Sequence, residues 1–229
     1  MIKKIITTII GLILGLVLFA VGLVAIAILI TYPKLPSLDA VQNYQPKMPL
    51  TIYSSDGKVI GVYGEERRAF TKIGDFPDVL KNAVLAAEDK RFYEHWGVDV
   101  VGVGRAIMGN ITAGSVQSGA STITQQVAKN FYLTNERTLT RKFNEALLAY
   151  KIEQSLTKDQ ILELYFNQIY LGQRAYGFTA AAQVYFNKPV KQLTLAEASI
   201  LAGLPKAPSA FNPIVNPERA RLRQEYILN

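Results

Sequence analysis

The feature that most constrains this chain is an uninterrupted apolar run from Ile5 to Ile30, preceded by Lys3 and Lys4. About 26 residues rising ~1.5 Å each form a helix of roughly 39 Å, which crosses a bilayer with some tilt. The lysines predict a cytoplasmic N-terminus, with everything after Thr31 beyond the membrane. Ala25-Ile26-Ala27 resembles a signal-peptide cleavage site, but the apolar run is too long and continues past it. We expect an uncleaved transmembrane anchor over residues 1–31.

Composition narrows the choice of partner and chemistry. The chain has 229 residues, room for one sizeable domain, and its net charge of +7 suits an anionic partner such as nucleic acid, anionic lipid or a phosphorylated substrate. It has no cysteine, which excludes disulfides, thiolate catalysis and Cys-based zinc sites. With His95 as its single histidine, the chain also lacks a His-rich metal site.

The pattern of the remaining residues predicts a mainly α fold. A Pro-punctuated linker over residues 32–49 leads to a β-hairpin over residues 50–63, whose turn is predicted by Asp56-Gly57. Beyond it no run of alternating strands is evident. Helix starts are indicated by the capping boxes Thr157/Gln160 and Thr194/Glu197, so residues 50–229 are expected to form one helical domain.

A polar helix over residues 119–130 carries the first candidate site residues. Ser121 is its expected N-cap, and Thr122, Gln126 and Lys129 then share one helix face. That face offers a hydroxyl, an amide and an ammonium beside a helix N-terminus, where anions are favoured. For one helix alone, a solvated polar face is the favoured explanation of the pattern.

Two acidic residues end or occupy predicted helices. Glu88 closes an apolar helical stripe in a helix whose expected first residue is Pro77. Glu88 is either a solvated helix end or a general acid or base at the lip of an apolar pocket. Glu145 follows Arg141 and Lys142 at i, i+4 and i, i+3 spacing. Taken alone, this second group fits surface ion pairs contributing roughly 0.3–0.5 kcal/mol each.

Two further segments call for interpretation. Residues 98–114 are apolar and Gly-rich, which favours a mobile, membrane-touching lobe over a dinucleotide site, because the third glycine of that fingerprint is missing. Ser155-x-x-Lys158 matches the nucleophile motif of penicillin-binding acyl enzymes. Its partner motifs are missing and Thr157 is better explained as a helix cap, so we interpret the match as chance.

Together these motifs resemble the peptidoglycan glycosyltransferases, the glycosyltransferase module of class A penicillin-binding proteins. Five motifs occur in the family's order, and they cover about residues 50–229: Glu88-Asp89-x-x-Phe92-x-x-His95-x-Gly97, Gly119-x-Ser121-Thr122-x-x-x-Gln126-x-x-Lys129, Arg141-Lys142-x-x-Glu145, Glu163-x-Tyr165-x-Asn167 and Gly172-x-x-x-Tyr176-Gly177. The resemblance implies a lysozyme-like, two-lobed fold. Bifunctional members carry a transpeptidase after this module, so the chain, which stops inside a continuing helix, is expected to be an N-terminal part.

The resemblance also implies a reaction. The substrates would be lipid II and the growing lipid-linked glycan strand, joined with inversion at the anomeric carbon and release of undecaprenyl pyrophosphate. Glu88 would take the proton of the acceptor hydroxyl, and Glu145 would assist the leaving group or hold a divalent ion, Mg2+ or Mn2+, although no cofactor is certain. The substrate-binding residues would be Asp89, Phe92, His95, Thr122, Gln126, Lys129, Arg141 and Lys142, with Lys129 and Arg141 on the pyrophosphate.

Location and partners follow from the same resemblance. The chain would be a single-pass protein of the bacterial cytoplasmic membrane with its catalytic domain on the periplasmic or extracytoplasmic side. Other cell-wall synthesis proteins are further partners to consider, and nucleic acid is not expected. A lysozyme-like lytic enzyme and a non-catalytic glycan-binding scaffold remain alternatives. The cationic face around Lys129 argues against the first, and the presence of both Glu88 and Glu145 argues against the second.

Overall fold

The computed structural model describes residues 2–46, 49–114, 121–133 and 138–229. It is mainly helical, as predicted. Its helices are α1 Ile2–Thr31, α2 Asp39–Gln42, α3 Asp78–Glu88, α4 Val100–Ala113, α5 Ile123–Tyr132, α6 Leu139–Glu153, α7 Lys158–Gln168, α8 Phe178–Phe186, α9 Leu195–Gly203 and α10 Pro217–Leu228. Its strands are β1 Leu50–Tyr53, β2 Val59–Tyr63, β3 Arg67–Arg68 and β4 Ala175–Tyr176.

Helix α1 contains the apolar run. Within the described part of the chain, Lys4–Lys34 is the one helical stretch long and apolar enough to cross a membrane, and the apolar window in it is not buried by protein. The α-helix gives way to a short 3-10 turn at Tyr32–Lys34, where Pro33 occupies the start. The arrangement is consistent with a membrane anchor followed by a short, proline-restricted segment that leads to the domain.

The predicted hairpin is confirmed. Strands β1 and β2 pair antiparallel, with a register shift between Ile52 and Tyr53, and Gly57 in the turn has a φ of +80°. A second pair, β3 with β4, is parallel and only two residues long on each side. The sequence did not predict this second pair, because two-residue strands carry no periodic signal.

The hydrophobic core lies among helices α3 and α5 to α9, with Leu38 and Val41 added from the segment around α2. Helix α5 contributes Ile123 and Val127, both fully buried, because the apolar side of this helix faces α6 and α7. Both predicted capping boxes are confirmed: Thr157 and Thr194 each accept a hydrogen bond from the backbone N–H three residues later. These caps fix the starts of α7 and α9 and hence the walls around the core.

Helix α4 contributes no buried residue to the core among its described side chains. It is capped by Asp99, whose Oδ1 accepts a hydrogen bond of 2.9 Å from Gly102 N. It exposes large apolar side chains, including Val100 at 75% and Ile111 at 71%. An apolar surface lobe is therefore present in the region where it was predicted, whereas its contact with a membrane stays a prediction.

Two predicted helix starts are wrong by one residue. The N-cap of α5 is Thr122 rather than Ser121: its side chain accepts a hydrogen bond from Gln125 N, and Gln125 Oε1 accepts one from Thr122 N. The reciprocal pair requires a glutamine three residues on, which Thr122 has and Ser121 lacks. Helix α3 begins at Asp78, with Pro77 as its N-cap. The predicted entry at Gly119 lies outside the described residues.

Candidate active site

The carboxyl group of Glu88 lies at the end of α3 with its side chain only 10% exposed. Gln126 Nε2 donates a hydrogen bond of 2.8 Å to Glu88 Oε2, and Tyr165 donates one of 3.3 Å to Gln126 Oε1. Burial raises the pKa of Glu88 above its ordinary value, and the opposing effects of Gln126, Arg223 and Lys206 do not cancel this rise. Glu88 is therefore not a solvated helix end, and a raised pKa suits a proton acceptor or donor.

Asp89, which follows Glu88 in the chain, holds the end of α3 in position through its hydrogen bonds. Both Asp89 oxygens lie 3.0 Å from His95 Nε2, and Oδ2 also accepts a 3.0 Å hydrogen bond from Ile123 N at the start of α5. Gly97 N donates to His95 Nδ1, so His95 presents its Nε2 proton to Asp89. The buried cluster ties the end of α3 to the start of α5, and so holds Glu88 near Gln126.

The side chains of Phe92 and Thr122 are buried and make contacts within the protein. Phe92 is 1% exposed, and the Lys158 ammonium lies 4.5 Å from its ring centre. Thr122 Oγ1 caps α5 and donates a 2.6 Å hydrogen bond to the carbonyl of Gly97, whose φ of +91° favours glycine. The structure thus gives Asp89, His95, Phe92 and Thr122 positioning roles, and their direct contact with substrate stays a prediction.

The second carboxylate, Glu145, is 2% exposed and paired with two cations. Arg141 Nη1 lies 2.7 Å from Glu145 Oε2, and Lys142 Nζ contacts Oε1. Lys142 also donates a 2.8 Å hydrogen bond to Ser121 Oγ, linking α6 to the start of α5. The interpretation as surface ion pairs is wrong, because Glu145 is buried. Removing one partner from a buried carboxylate typically destabilises the fold by about 3–5 kcal/mol.

The residues around Glu145 do not fit a protein-held divalent ion. Both carboxylate oxygens are already engaged by cationic side chains, which would repel Mg2+ or Mn2+. Within the described residues no group of three acidic or histidine side chains is placed to hold a metal. These contacts do not support an ion at Glu145, which stays a prediction.

Glu88 and Glu145 line one cleft of about 450 Å³. The cleft contains five cationic side chains, namely Lys129, Arg141, Lys142, Lys206 and Arg223, together with Gln126, Ser121 and Tyr226. A second, smaller cavity of about 200 Å³ shares Glu88 and Ser121 with it. The structure therefore brings Lys129, Arg141, Lys142 and Gln126 into one cleft with the two acidic residues, whereas their contact with substrate stays a prediction.

Three cleft residues were missed by sequence reasoning: Lys206, Arg223 and Tyr226. Lys206 directly follows Pro205, and a proline shortly after a helix marks the end of the helix but not a binding site. Arg223 and Tyr226 belong to the last helix, where nothing in the local pattern separates them from surface residues. They reach the cleft only because α10 packs on α9 and α3.

Residues of the fourth and fifth motifs, Asn167 and Gly177, hold helix α7 in place. Asn167 Nδ2 donates hydrogen bonds of 2.8 Å to the carbonyls of Thr71 and Glu163, and its Oδ1 accepts one from Thr71 N. Gly177 has a φ of +83°, and a Cβ there would lie 2.9 Å from the Asn167 carbonyl oxygen. These residues fasten α7, the helix that supplies Tyr165.

The penicillin-type motif is not assembled. Lys158 Nζ donates to Glu153 Oε1 and to the carbonyl of His95, and Ser155 Oγ donates to the carbonyl of Lys151. Thr157 between them caps α7. The match is thus explained by helix capping and by an ion pair.

A largely buried carboxyl group in a cleft lined by cationic side chains is typical of an enzyme that acts on an anionic substrate. A family model described as transglycosylase matches residues 56–229. The chain therefore belongs to the transglycosylase family, the peptidoglycan glycosyltransferases of cell-wall synthesis, and the resemblance stated above is confirmed. The boundaries 1–31, 32–49 and 50–229 stay predictions.

The chain is also similar to individual penicillin-binding proteins. The chain is 81% identical over its whole length to penicillin-binding protein 1A of Neisseria cinerea and 55% identical over 196 residues to that of Pseudomonas aeruginosa. It spans 29% and 24% of the length of these relatives. A crystal structure of penicillin-binding protein 1A from Haemophilus influenzae is 33% identical and matches 80% of this chain and 18% of its own, with a TM-score of 0.45.

Proposed function

We propose that this chain polymerises lipid II into glycan strands at the outer face of the cytoplasmic membrane, anchored by α1. The observation that carries the proposal is the cleft in which the largely buried Glu88 lies among five cationic side chains. A lipid pyrophosphate has the negative charge that these cations complement, and charge-assisted contacts of this kind are strong. The apolar helix α1 suits a substrate that is itself held in a membrane.

In this mechanism the growing strand is the donor, and its pyrophosphate lies in the cationic cleft. Lys129 on α5 and Arg141 on α6 contact the pyrophosphate oxygens and stabilise the charge that develops as the C–O bond to the anomeric carbon breaks. Glu145 keeps Arg141 and Lys142 in place through its buried ion pairs. This gives Glu145 the role of orienting the cations that assist the leaving group.

The acceptor approaches Glu88 from the smaller cavity, which shares that residue with the cleft. Its sugar hydroxyl gives its proton to the Glu88 carboxylate while the oxygen attacks the anomeric carbon from the face opposite the pyrophosphate. The configuration inverts and undecaprenyl pyrophosphate leaves. Gln126, oriented by Tyr165, holds Glu88 Oε2 throughout.

The test uses this chain, purified in detergent and supplied with lipid II, with glycan chains read on a gel and released lipid pyrophosphate quantified. Glu88→Gln should slow polymerisation by about 10²–10⁴-fold, the usual contribution of a general base. The matched control Glu94→Gln, an exposed acid paired with Arg91, should stay active.

Each outcome separates one part of the mechanism. Near wild-type polymerisation by Glu88→Gln would show that Glu88 is not the base. A wild-type chain that shortens existing glycan without releasing lipid pyrophosphate would instead favour the lytic alternative. In the wild type, activity should fall as the pH drops through the raised pKa of Glu88, because only the ionised carboxylate accepts a proton.

A further inference from the structure

One of the arginines of helix α10, Arg223, lies beside the carboxyl group of Glu88. Its Nη2 atom is 4.0 Å from Glu88 Oε1, and the two side chains are 8% and 10% exposed. The other oxygen, Oε2, is the one that accepts the hydrogen bond from Gln126. The two oxygens of Glu88 are therefore approached from two different helices, one by a neutral amide and the other by a cation.

The protein holds this guanidinium in place by packing. A Cβ on Gly203 of α9 would lie 2.8 Å from Arg223 Cγ. The arginine side chain therefore packs in the space that a larger residue at position 203 would fill. The guanidinium carbon lies 4.8 Å from the ring centre of Tyr226 and 6.0 Å from that of Phe211. Gln224 Nε2 donates a 2.8 Å hydrogen bond to the carbonyl of Ala196, which fastens α10 to α9 next to this arginine.

The distance of 4.0 Å matters for the chemistry. A buried charge is costly unless an opposite charge compensates it, and Glu88 is the acidic group that faces Arg223. A guanidinium in direct contact would use a carboxylate lone pair that a base needs for the incoming proton. At 4.0 Å the positive charge stabilises the ionised carboxylate without donating a hydrogen bond to it within normal range.

We propose that Arg223 is a positioning residue for Glu88, keeping the buried carboxylate ionised and fixed between α5 and α10 while Oε1 stays free to accept a proton. This role rests on the proposed function of Glu88 as the base. It makes the catalytic centre depend on the last helix of the chain, outside the five motifs.

The groups that face Glu88 from each neighbouring element support this role. Lys206, which follows α9, and Arg223 favour the ionised carboxylate, whereas burial and the adjacent Asp89 disfavour it. Tyr165 on α7 stays neutral, because burial and the Glu88 charge raise the pKa of its phenol well above the ordinary value. Of the two cations, Lys206 is exposed and its charge is screened by solvent, so the buried Arg223 has the larger effect.

The experiment measures kcat/KM for lipid II polymerisation from pH 5 to pH 9 in Arg223→Gln, Arg223→Lys and a matched control, Arg221→Gln. Arg221 lies on the same helix, exposed and paired with Glu225, so its variant removes the same charge from the surface. In Arg223→Gln the acidic limb should move to higher pH by roughly one unit, the low end of what an opposite charge at this distance does. Activity below the limb then falls about tenfold more than activity above it.

The controls separate positioning from packing. Arg223→Lys keeps the charge, so its limb should stay closer to that of the wild type, and Arg221→Gln should leave the limb unmoved. A purely structural role would lower the rate by the same factor at every pH. An acidic limb that does not move in folded Arg223→Gln would therefore overturn the proposal.

A second variant decides the case if circular dichroism shows that Arg223→Gln does not fold. Tyr226→Leu removes a ring that is 69% exposed and stacks on the guanidinium, so it frees the arginine without removing its charge. In Tyr226→Leu the acidic limb of the kcat/KM profile should move to higher pH, by less than in Arg223→Gln. An acidic limb at the wild-type pH would overturn the proposal. Failure of the wild-type chain to polymerise lipid II would instead remove the proposed function, and this role with it.

Discussion

Replacing Asp89 by asparagine tests whether the buried cluster next to Glu88 holds the site together. The carboxylate accepts hydrogen bonds from His95 Nε2 and from Ile123 N at the start of α5, and it is 7% exposed. Asparagine has one acceptor oxygen, which can serve Ile123 N. Its amide NH2 then faces the Nε2 proton of His95, so two donors oppose each other.

The expected loss of stability follows from these contacts. Asp89→Asn removes one charge-assisted hydrogen bond, worth roughly 1.5–3 kcal/mol. It also removes a negative charge at the N-terminus of α5, worth about 0.3–1 kcal/mol. The sum is about 2–4 kcal/mol, and at about 2–4 °C per kcal/mol for a domain of this size the melting temperature should fall by roughly 4–16 °C.

Thermal unfolding in detergent, followed by circular dichroism, measures this shift. The matched control is Asp159→Asn, which also removes an acid from the first turn of a helix, but at an exposed position where Tyr93 donates a 3.0 Å hydrogen bond. Because that contact is solvated, the control should change the melting temperature by only a few degrees. If both variants melt within about 2 °C of each other, the buried cluster does not contribute as argued.

Two further predictions concern the substrate and the membrane. Lys129→Ala should weaken binding of a pyrophosphate-bearing donor analogue more than tenfold, since a charge-assisted contact is worth about 1.5–3 kcal/mol. Lys58→Ala, on the hairpin, should leave that affinity unchanged, and equal affinities in both variants would contradict the pyrophosphate role. Removal of residues 1–31 should keep the circular dichroism of a folded helical domain, because α1 contributes no residue to the described core. Its activity should fall more on bilayer-embedded than on detergent-dispersed lipid II, and equal losses would contradict a positioning anchor.

Much of this protein was predictable because its signals are local. The long apolar helix α1 follows from the length of one apolar run, the hairpin from Asp56-Gly57, and the starts of α7 and α9 from residues three positions apart. The predicted cap at Ser121 failed by one position, because the choice between adjacent hydroxyl residues depended on the glutamine at Gln125. Motif order was enough to indicate the family, and it also grouped Glu88 with Lys129 and Arg141.

The sequence by itself determined that the chain is mainly helical, where the long apolar helix lies and which side chains are candidates for the chemistry. Only the tertiary structure decided what each candidate does, because burial and partners depend on elements that are distant in the chain. It placed Asp89 and His95 inside the protein and buried Glu145 between two cations. It also brought Arg223 to within 4.0 Å of Glu88. A charge is a surface feature or part of a site according to what packs against it, and no local pattern contains that information.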